Sequence, residues 1–307
     1  MTRTIILDCD PGHDDALAIM LAAGSPEVEI AAITTVAGNQ TLDKTTLNAR
    51  RVCTLAGIRG VPIVAGCDRP LLRELVTAGE VHGASGLDGH EWPEPDVPVE
   101  PGHAVELIVE RVTAAPGEIT LVATGPLTNV AMAVRREPGI VAAVREVVLM
   151  GGSFTRGNHT PAAEFNVYVD PEAAAIVFAA GWPVTLVGLD LTQQASVTPA
   201  VLDRIAAIGT SAGAAVVDLM RFYGRRYTPP DGPPLHDPCA VARVIDPAMV
   251  QCREAFVAVE TQGRWTRGMT VVDFAGRLGH PPNATVATTL DVPAFWDLLV
   301  AALTRLG

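Results

Sequence analysis

The chain has 307 residues, 49% of them apolar, with 22 Lys and Arg against 34 Asp and Glu and a net charge of −12. That apolar content excludes extended disorder. The lack of any basic block excludes a nucleic-acid backbone as the main partner, because phosphate contacts need clustered cations. A small neutral or cation-assisted ligand fits better.

The first element is a short strand at 5–7, from which Asp8-Cys9-Asp10-Pro11-Gly12-His13-Asp14-Asp15 leads into a helix at 15–23. Ordinary turn and capping chemistry accounts for one or two such aspartates. Four within eight residues repel one another unless a positive charge sits among them, and oxygen donors of this kind suit Ca²⁺ or Mg²⁺. Further strands are expected at 30–36, 63–65, 119–123, 147–150, 184–187 and 257–259. Helical patterns lie at 42–56, 104–113, 127–135, 171–180, 199–208 and 211–223. Continuous apolar strands separated by helices imply an α/β fold, a mostly parallel central sheet flanked by helices. With no composition shift and no internal repeat, a single domain over 1–307 is expected.

Polar residues cluster after several strands: Thr34-Thr35 through Asn39-Gln40, Thr124 to Asn129, Gly151-Gly152-Ser153, and Gly188 to Thr192. In a parallel sheet these ends share one edge, so their loops converge with the aspartates of the first strand. Glu164 and Asn166 point to one side if their segment is extended, with Phe165 opposite. His82-Gly83-Ala84-Ser85-Gly86 is a glycine-rich polar loop, and Tyr223 and Tyr227 stand at helical spacing on one face. In Leu235-His236-Asp237-Pro238, Asp237 caps a helix with Pro238 at its first position. A titratable His beside a carboxylate, next to the proline-rich segment at 229–234, also makes His236 a candidate general acid.

Other chemistries lack their signatures. No G-x-G-x-x-G or Walker A sequence follows a strand, there is no G-x-S-x-G elbow, and HExxH and clustered Cys/His are absent. Five scattered cysteines without a CxxC pair read as reduced thiols of a cytoplasmic protein. Met1-Thr2-Arg3-Thr4 leads straight into a strand, leaving no room for a signal peptide. The longest apolar stretch, 173–191, is broken by Gly181, Trp182-Pro183 and Gly188, so no membrane span is expected.

Asp8-Cys9-Asp10-Pro11-Gly12-His13-Asp14-Asp15-Ala16 resembles the N-terminal signature of the nucleoside hydrolases, and the chain is similar to their inosine–uridine-preferring branch. The resemblance runs over almost the whole length: 33–40, 64–67, His82-Gly83, 124–129, 148–152, 163–166 and His236-Asp237-Pro238. It implies an α/β core with Ca²⁺ at the bottom of a deep pocket and hydrolysis of the N-glycosidic bond of ribonucleosides. Carried onto this chain, it makes Asp10, Asp15 and Asp237 carboxylate ligands of Ca²⁺ and Thr124 a main-chain carbonyl ligand. Asp14, Asn158, Glu164 and Asn166 would hold the ribose hydroxyls, with Asn39 in support and Met150 and Phe165 lining the sugar pocket. His82, His236, Tyr223 and Tyr227 would face the base. Asp10 would serve as general base toward water and His236 as the acid for the departing base. The family further implies a homodimer or homotetramer.

The short proline-rich loop between Tyr227 and His236, with His159 beside Asn158, leaves the preferred base open between inosine/uridine and pyrimidines alone. A haloacid-dehalogenase-type phosphatase would need Thr or Val where Gly12 stands. A non-catalytic nucleoside-binding protein is disfavoured, because the catalytic positions Asp10 and His236 are filled.

Overall fold

In the computed structural model, which describes residues 2–226 and 232–306, the opening strand is β1 (Arg3–Cys9), in the interior of the sheet. Side chains of a strand alternate between faces. Ile5, Leu7 and Cys9 enter one apolar core and Ile6 the other, so both faces of the strand are covered. The remaining strands are β2 (Val28–Thr35), β3 (Ile63–Ala65), β4 (Ile119–Ala123), β5 (Glu146–Met150), β6 (Val184–Val187), β7 (Val250–Val259), β8 (Thr270–Asp273) and β9 (Ala284–Leu290). They form one nine-stranded sheet in the order β3-β2-β1-β4-β5-β6-β9-β7-β8. All neighbours from β3 to β9 are parallel, while β7 runs antiparallel to both β9 and β8.

The chain leaves β1 for β2 and β3 on one side, then crosses back to β4 and continues outward through β5 and β6. Strand order therefore reverses between β1 and β4. In open α/β sheets the carboxyl ends at such a reversal splay the following loops apart and leave a crevice for ligands.

The helix His13–Ala23 starts at that crevice. Every residue from Ala16 to Ala22 is buried, as required of a helix that is apolar nearly all round and packed inside the core. Its first turn is fixed by Asp15, whose Oδ2 accepts from the Gly12 amide at 3.0 Å. A second buried helix, Asp237–Ile245, points its N-terminus to the same place. Pro238 suits its first turn, where a backbone N–H would have no partner within the helix.

The six expected strands from 5–7 to 184–187 are present, several extended by a residue or two at their ends, and the expected strand at 257–259 runs back to Val250. Beyond Asp237–Ile245 the sequence reading placed only that strand, whereas the chain adds β8, β9 and the helix Val292–Arg305. Among the described residues, no helix is long and apolar enough to cross a membrane.

Candidate active site

The residues Asp8 to Asp15 take up a strand end, a turn and a helix start in succession, and this separates their carboxylates. Asp8, still on β1, is tied down by Thr34 Oγ1 at 2.6 Å and Asn129 Nδ2 at 2.8 Å, both on its Oδ1. Asp10 lies in the turn, wholly buried, with Oδ2 accepting from the Asn39 amide at 2.6 Å. Two glycines make room for it. A Cβ on Gly38 would stand 2.1 Å from Asp10 Oδ2, and one on Gly125 2.7 Å from Oδ1. Asp15 accepts from Gly12 N, from Asn39 Nδ2 at 3.2 Å and from Thr124 Oγ1 at 2.8 Å. Asp14 alone of the four lines the open cavity, where it meets Asp237 from the second helix.

One oxygen each from Asp14, Asp15 and Asp237 lies within 4.8 Å of the others, and all three residues are buried. Burial pushes their carboxyls upward, Asp14 to about 7, with added repulsion from Asp15 on Asp14 and from Asp14 and Asp15 on Asp237. Asp10 is displaced well upward for the same reasons, burial first and Asp15 second. Its Oδ1 is buried without a hydrogen-bond partner among the described residues. An all-oxygen donor set with an orphaned carboxylate oxygen suits a hard divalent cation, because a positive charge offsets both the burial and the mutual repulsion. The closest-packed triad includes Asp14, which the sequence reading assigned to the sugar, and Asp10 stands just behind it.

Above this floor is a cavity of about 210 Å³. Twelve residues singled out from sequence line it: Asp14, Asn39, His82, Thr124, Met150, Asn158, Glu164, Phe165, Asn166, Tyr223, His236 and Asp237. Asp10 and Asp15 lie behind the lining, and Tyr227 lies outside the described residues.

The walls present a defined set of polar atoms. Both hydrogens of Asn166 Nδ2 are committed, to Thr124 O at 2.7 Å and Met150 O at 3.2 Å, so what it offers a ligand is Oδ1. Asn158 is the reverse, with Oδ1 accepting from the Phe165 amide at 2.9 Å and Nδ2 left as donor. Glu164 accepts from the amides of Gly152 and Asn166, each at 2.9 Å, and of Val167 at 3.2 Å. Burial still raises it to about 6. The expected extended segment is corrected here. Phe165–Val169 is a helical turn with Glu164 as its cap, and Glu164 and Asn166 reach one cavity by that route instead.

The remaining wall is aromatic. His82 and Tyr223 stack with ring centroids 5.7 Å apart, and His13 stacks behind both, with Phe222 beyond it at 5.3 Å. The His13 amide donates to His82 Nδ1 at 3.2 Å, while His13 Nε2 meets Asp88 O at 2.8 Å. His236 is gripped through Nδ1 by Thr192 Oγ1 at 2.7 Å, and burial lowers it to about 4. Thr77, Ala78, Glu80 and Val81 also line the cavity, yet nothing in their sequence marks them. The roles of His13 and Thr192 were likewise missed, although both belong to strand-end segments that stood out.

The sequence model of the inosine-uridine preferring nucleoside hydrolases matches residues 5–297. This chain belongs to that family. It is 50% identical to the inosine-uridine preferring nucleoside hydrolase of Crithidia fasciculata, over 100% of this chain and 99% of that protein. It is 47% identical to the pyrimidine-specific ribonucleoside hydrolase RihA of Salmonella arizonae, over 100% of both chains. A purine-preferring ribonucleoside hydrolase from Gardnerella vaginalis has the same fold, with a TM-score of 0.93 at 34% identity over 99% of each chain. The protein is therefore a nucleoside hydrolase acting on ribonucleosides, and the expected α/β fold is that of its structural relatives.

Proposed function

We propose that this nucleoside hydrolase cleaves the N-glycosidic bond of inosine and uridine to ribose and free base, with Ca²⁺ held by Asp10, Asp15, Asp237 and the carbonyl oxygen of Thr124. The observation that carries this reading is the cavity itself. It has a carboxylate floor, amide and carboxylate walls suited to a polyhydroxyl ring, and an aromatic side suited to a planar base. When bound, a divalent cation at the floor supplies Lewis-acid character that makes water more acidic.

The protein's own groups do the rest. Among the described residues two buried carboxylate oxygens lack a hydrogen-bond partner, Asp8 Oδ2 and Asp10 Oδ1. Asp8 is still on β1, whereas Asp10 stands in the turn beside Asp15, and we assign Asp10 the proton of the attacking water. Asp14, the Oδ1 of Asn166, the Nδ2 of Asn158 and Glu164 orient the sugar by its hydroxyls. Bond cleavage leaves positive charge on the ribosyl ring, and the fixed carboxylates beneath favour that charge without having to reorganise. Water as nucleophile, with no enzyme-bound sugar, means inversion at the anomeric carbon. His236, held at Nδ1 by Thr192, has Nε2 left for the departing base.

Reducing-sugar release from inosine, adenosine, uridine and cytidine, before and after exhaustive chelation, tests this. Release should stop on chelation and return with Ca²⁺; turnover that survives chelation would remove the cation from the reaction. A pyrimidine-only preference is the second reading, favoured by the likeness to the Salmonella enzyme. Hydrolysis of uridine and cytidine with inosine untouched decides for it.

A further inference from the structure

The base-facing side of the cavity is clamped from outside. Gln40, Lys44 and Asn48 stand four residues apart and so share one face of the Leu42–Leu55 helix and the turn before it. Each donates to one of three consecutive main-chain carbonyls. Gln40 Nε2 takes Gly83 O at 2.9 Å, Lys44 Nζ takes Ala84 O at 2.8 Å, and Asn48 Nδ2 takes Ser85 O at 2.8 Å. The rungs are also tied to their surroundings. Lys44 Nζ reaches Gln40 Oε1 at 3.3 Å, and Asn48 Nδ2 gives a second hydrogen to Pro11 O at 3.0 Å, inside the acidic turn.

The clamped segment follows directly on His82. It closes on itself through Asp88, which accepts from the amides of Ala84 at 2.9 Å and Ser85 at 3.1 Å and from the Ser85 hydroxyl. None of the three rungs lines the cavity. Gln40 and Asn48 are buried, whereas Lys44 is partly exposed. Lys44 is also the only lysine in the chain, since all the rest of its 22 Lys and Arg are Arg.

We propose that Gln40, Lys44 and Asn48 are positioning residues for the base-facing loop, and that Lys44 is the rung at which acylation releases it. This rests on the reading that His82 faces the nucleobase. The acyl donor is an activated one, an anhydride, thioester or acyl phosphate. The deprotonated Nζ attacks its carbonyl carbon, a C–N bond forms, the bond to the oxygen or sulfur leaving group breaks, and the amine proton passes to solvent. An ammonium with three donors becomes an uncharged amide with one, and an acyl group is added beside the Gly83–Ser85 carbonyls. The loop then spends only part of its time with His82 in place. Apparent affinity falls by that fraction, while turnover of correctly bound substrate holds.

Acetic anhydride on the intact protein, followed by uridine and inosine kinetics and amide exchange, tests this. With a competent fraction of about one in ten, KM should rise about tenfold and kcat change less than about twofold. Amides of residues 82–88 should exchange faster. Lys44→Arg, which keeps a donor for Ala84 O but no amine to acylate, should retain its KM and its exchange pattern through the same treatment. Complete modification of Lys44 with KM and exchange unchanged overturns the proposal. So does an equal KM rise in Lys44→Arg, which assigns the effect to the terminal amine. Ribose release from neither nucleoside before treatment would instead overturn the functional reading, and loop exchange alone would then judge the clamp.

Discussion

Replacing Glu164 by Gln separates what this carboxylate does for the fold from what it does for the sugar. In the wild type, Glu164 Oε2 accepts from the amides of Gly152 and Val167, and Oε1 from Asn166. A glutamine can put its oxygen at only one of those two places. With the oxygen at Oε2, two bonds survive and the Asn166 amide faces an NH₂ group. Losing a backbone bond to a charged acceptor costs roughly 1.5–3 kcal/mol. The opposing effect is the ionised carboxylate's burial. Its displacement from 4.5 to about 6 corresponds to about 2 kcal/mol that glutamine never incurs. At pH 7 the two nearly cancel, so the variant should unfold within about 1 kcal/mol of wild type.

The sign of the pH dependence follows. A carboxyl whose folded value is raised binds more protons folded than unfolded between pH 4.5 and about 6. Its contribution is therefore fully present below 4.5 and lost as pH rises through 6. Urea unfolding of both proteins at pH 4.5 and 7 should show the wild-type advantage shrinking by about 2 kcal/mol at the higher pH. Activity should move differently: on the proposed reading a sugar hydroxyl loses its charged acceptor, and kcat/KM should fall by tenfold or more. A stability difference that is the same at both pH values would refute the reasoning.

Removing a sugar hydroxyl should cost more than removing any wall residue's charge. Asp14 and Asn166 are buried and would keep unmatched acceptors around a 2′-deoxynucleoside, so kcat/KM for deoxyinosine should fall at least about 10³-fold below inosine; comparable values would contradict this. His236→Ala should lower turnover of inosine about tenfold, because burial keeps the ring neutral near pH 7 and Thr192 at Nδ1 leaves Nε2–H to hydrogen-bond the departing base. Full inosine turnover in that variant would leave His236 without a part in the reaction.

The first strand, its turn and the next helix start were legible because everything needed is local: an apolar run, Pro-Gly and four carboxylates. The Asp237 floor was only half legible. An Asp-Pro pair opens ordinary helices elsewhere in this chain, as at Asp170-Pro171, and what makes Asp237 different is the burial of its helix end beside Asp14 and Asp15. The wall from Thr77 to Val81 was invisible because the irregular segment leading to it is held by distant partners. Leu71 N donates to Asp170 Oδ2 at 2.9 Å, and Arg73 pairs with Glu172. β9 was missed because its Thr-rich sequence lacks the apolar run that marked the others, and its place depends on pairing with β6 and β7. The last helix did carry a signal, Asp291 followed by Pro293, with the Asp291 side chain accepting from Ala294 N at 3.1 Å.

The crowding of Asp8, Asp10, Asp14 and Asp15 looks like one feature in sequence and is four in space. Thr34 and Asn129 from neighbouring elements hold Asp8, Asn39 holds Asp10, and Gly12, Asn39 and Thr124 hold Asp15. Each of these bonds satisfies an oxygen without neutralising a charge, so hydrogen bonding alone leaves the carboxylates raised by burial. Neutral sugar hydroxyls can add donors at Asp14 but no positive charge. The same backbone that reverses strand order between β1 and β4 thus gathers carboxylates whose mutual repulsion a proton, a cation or a sugar becoming cationic would offset. On the proposed reading the substrate sits where that charge has the most effect.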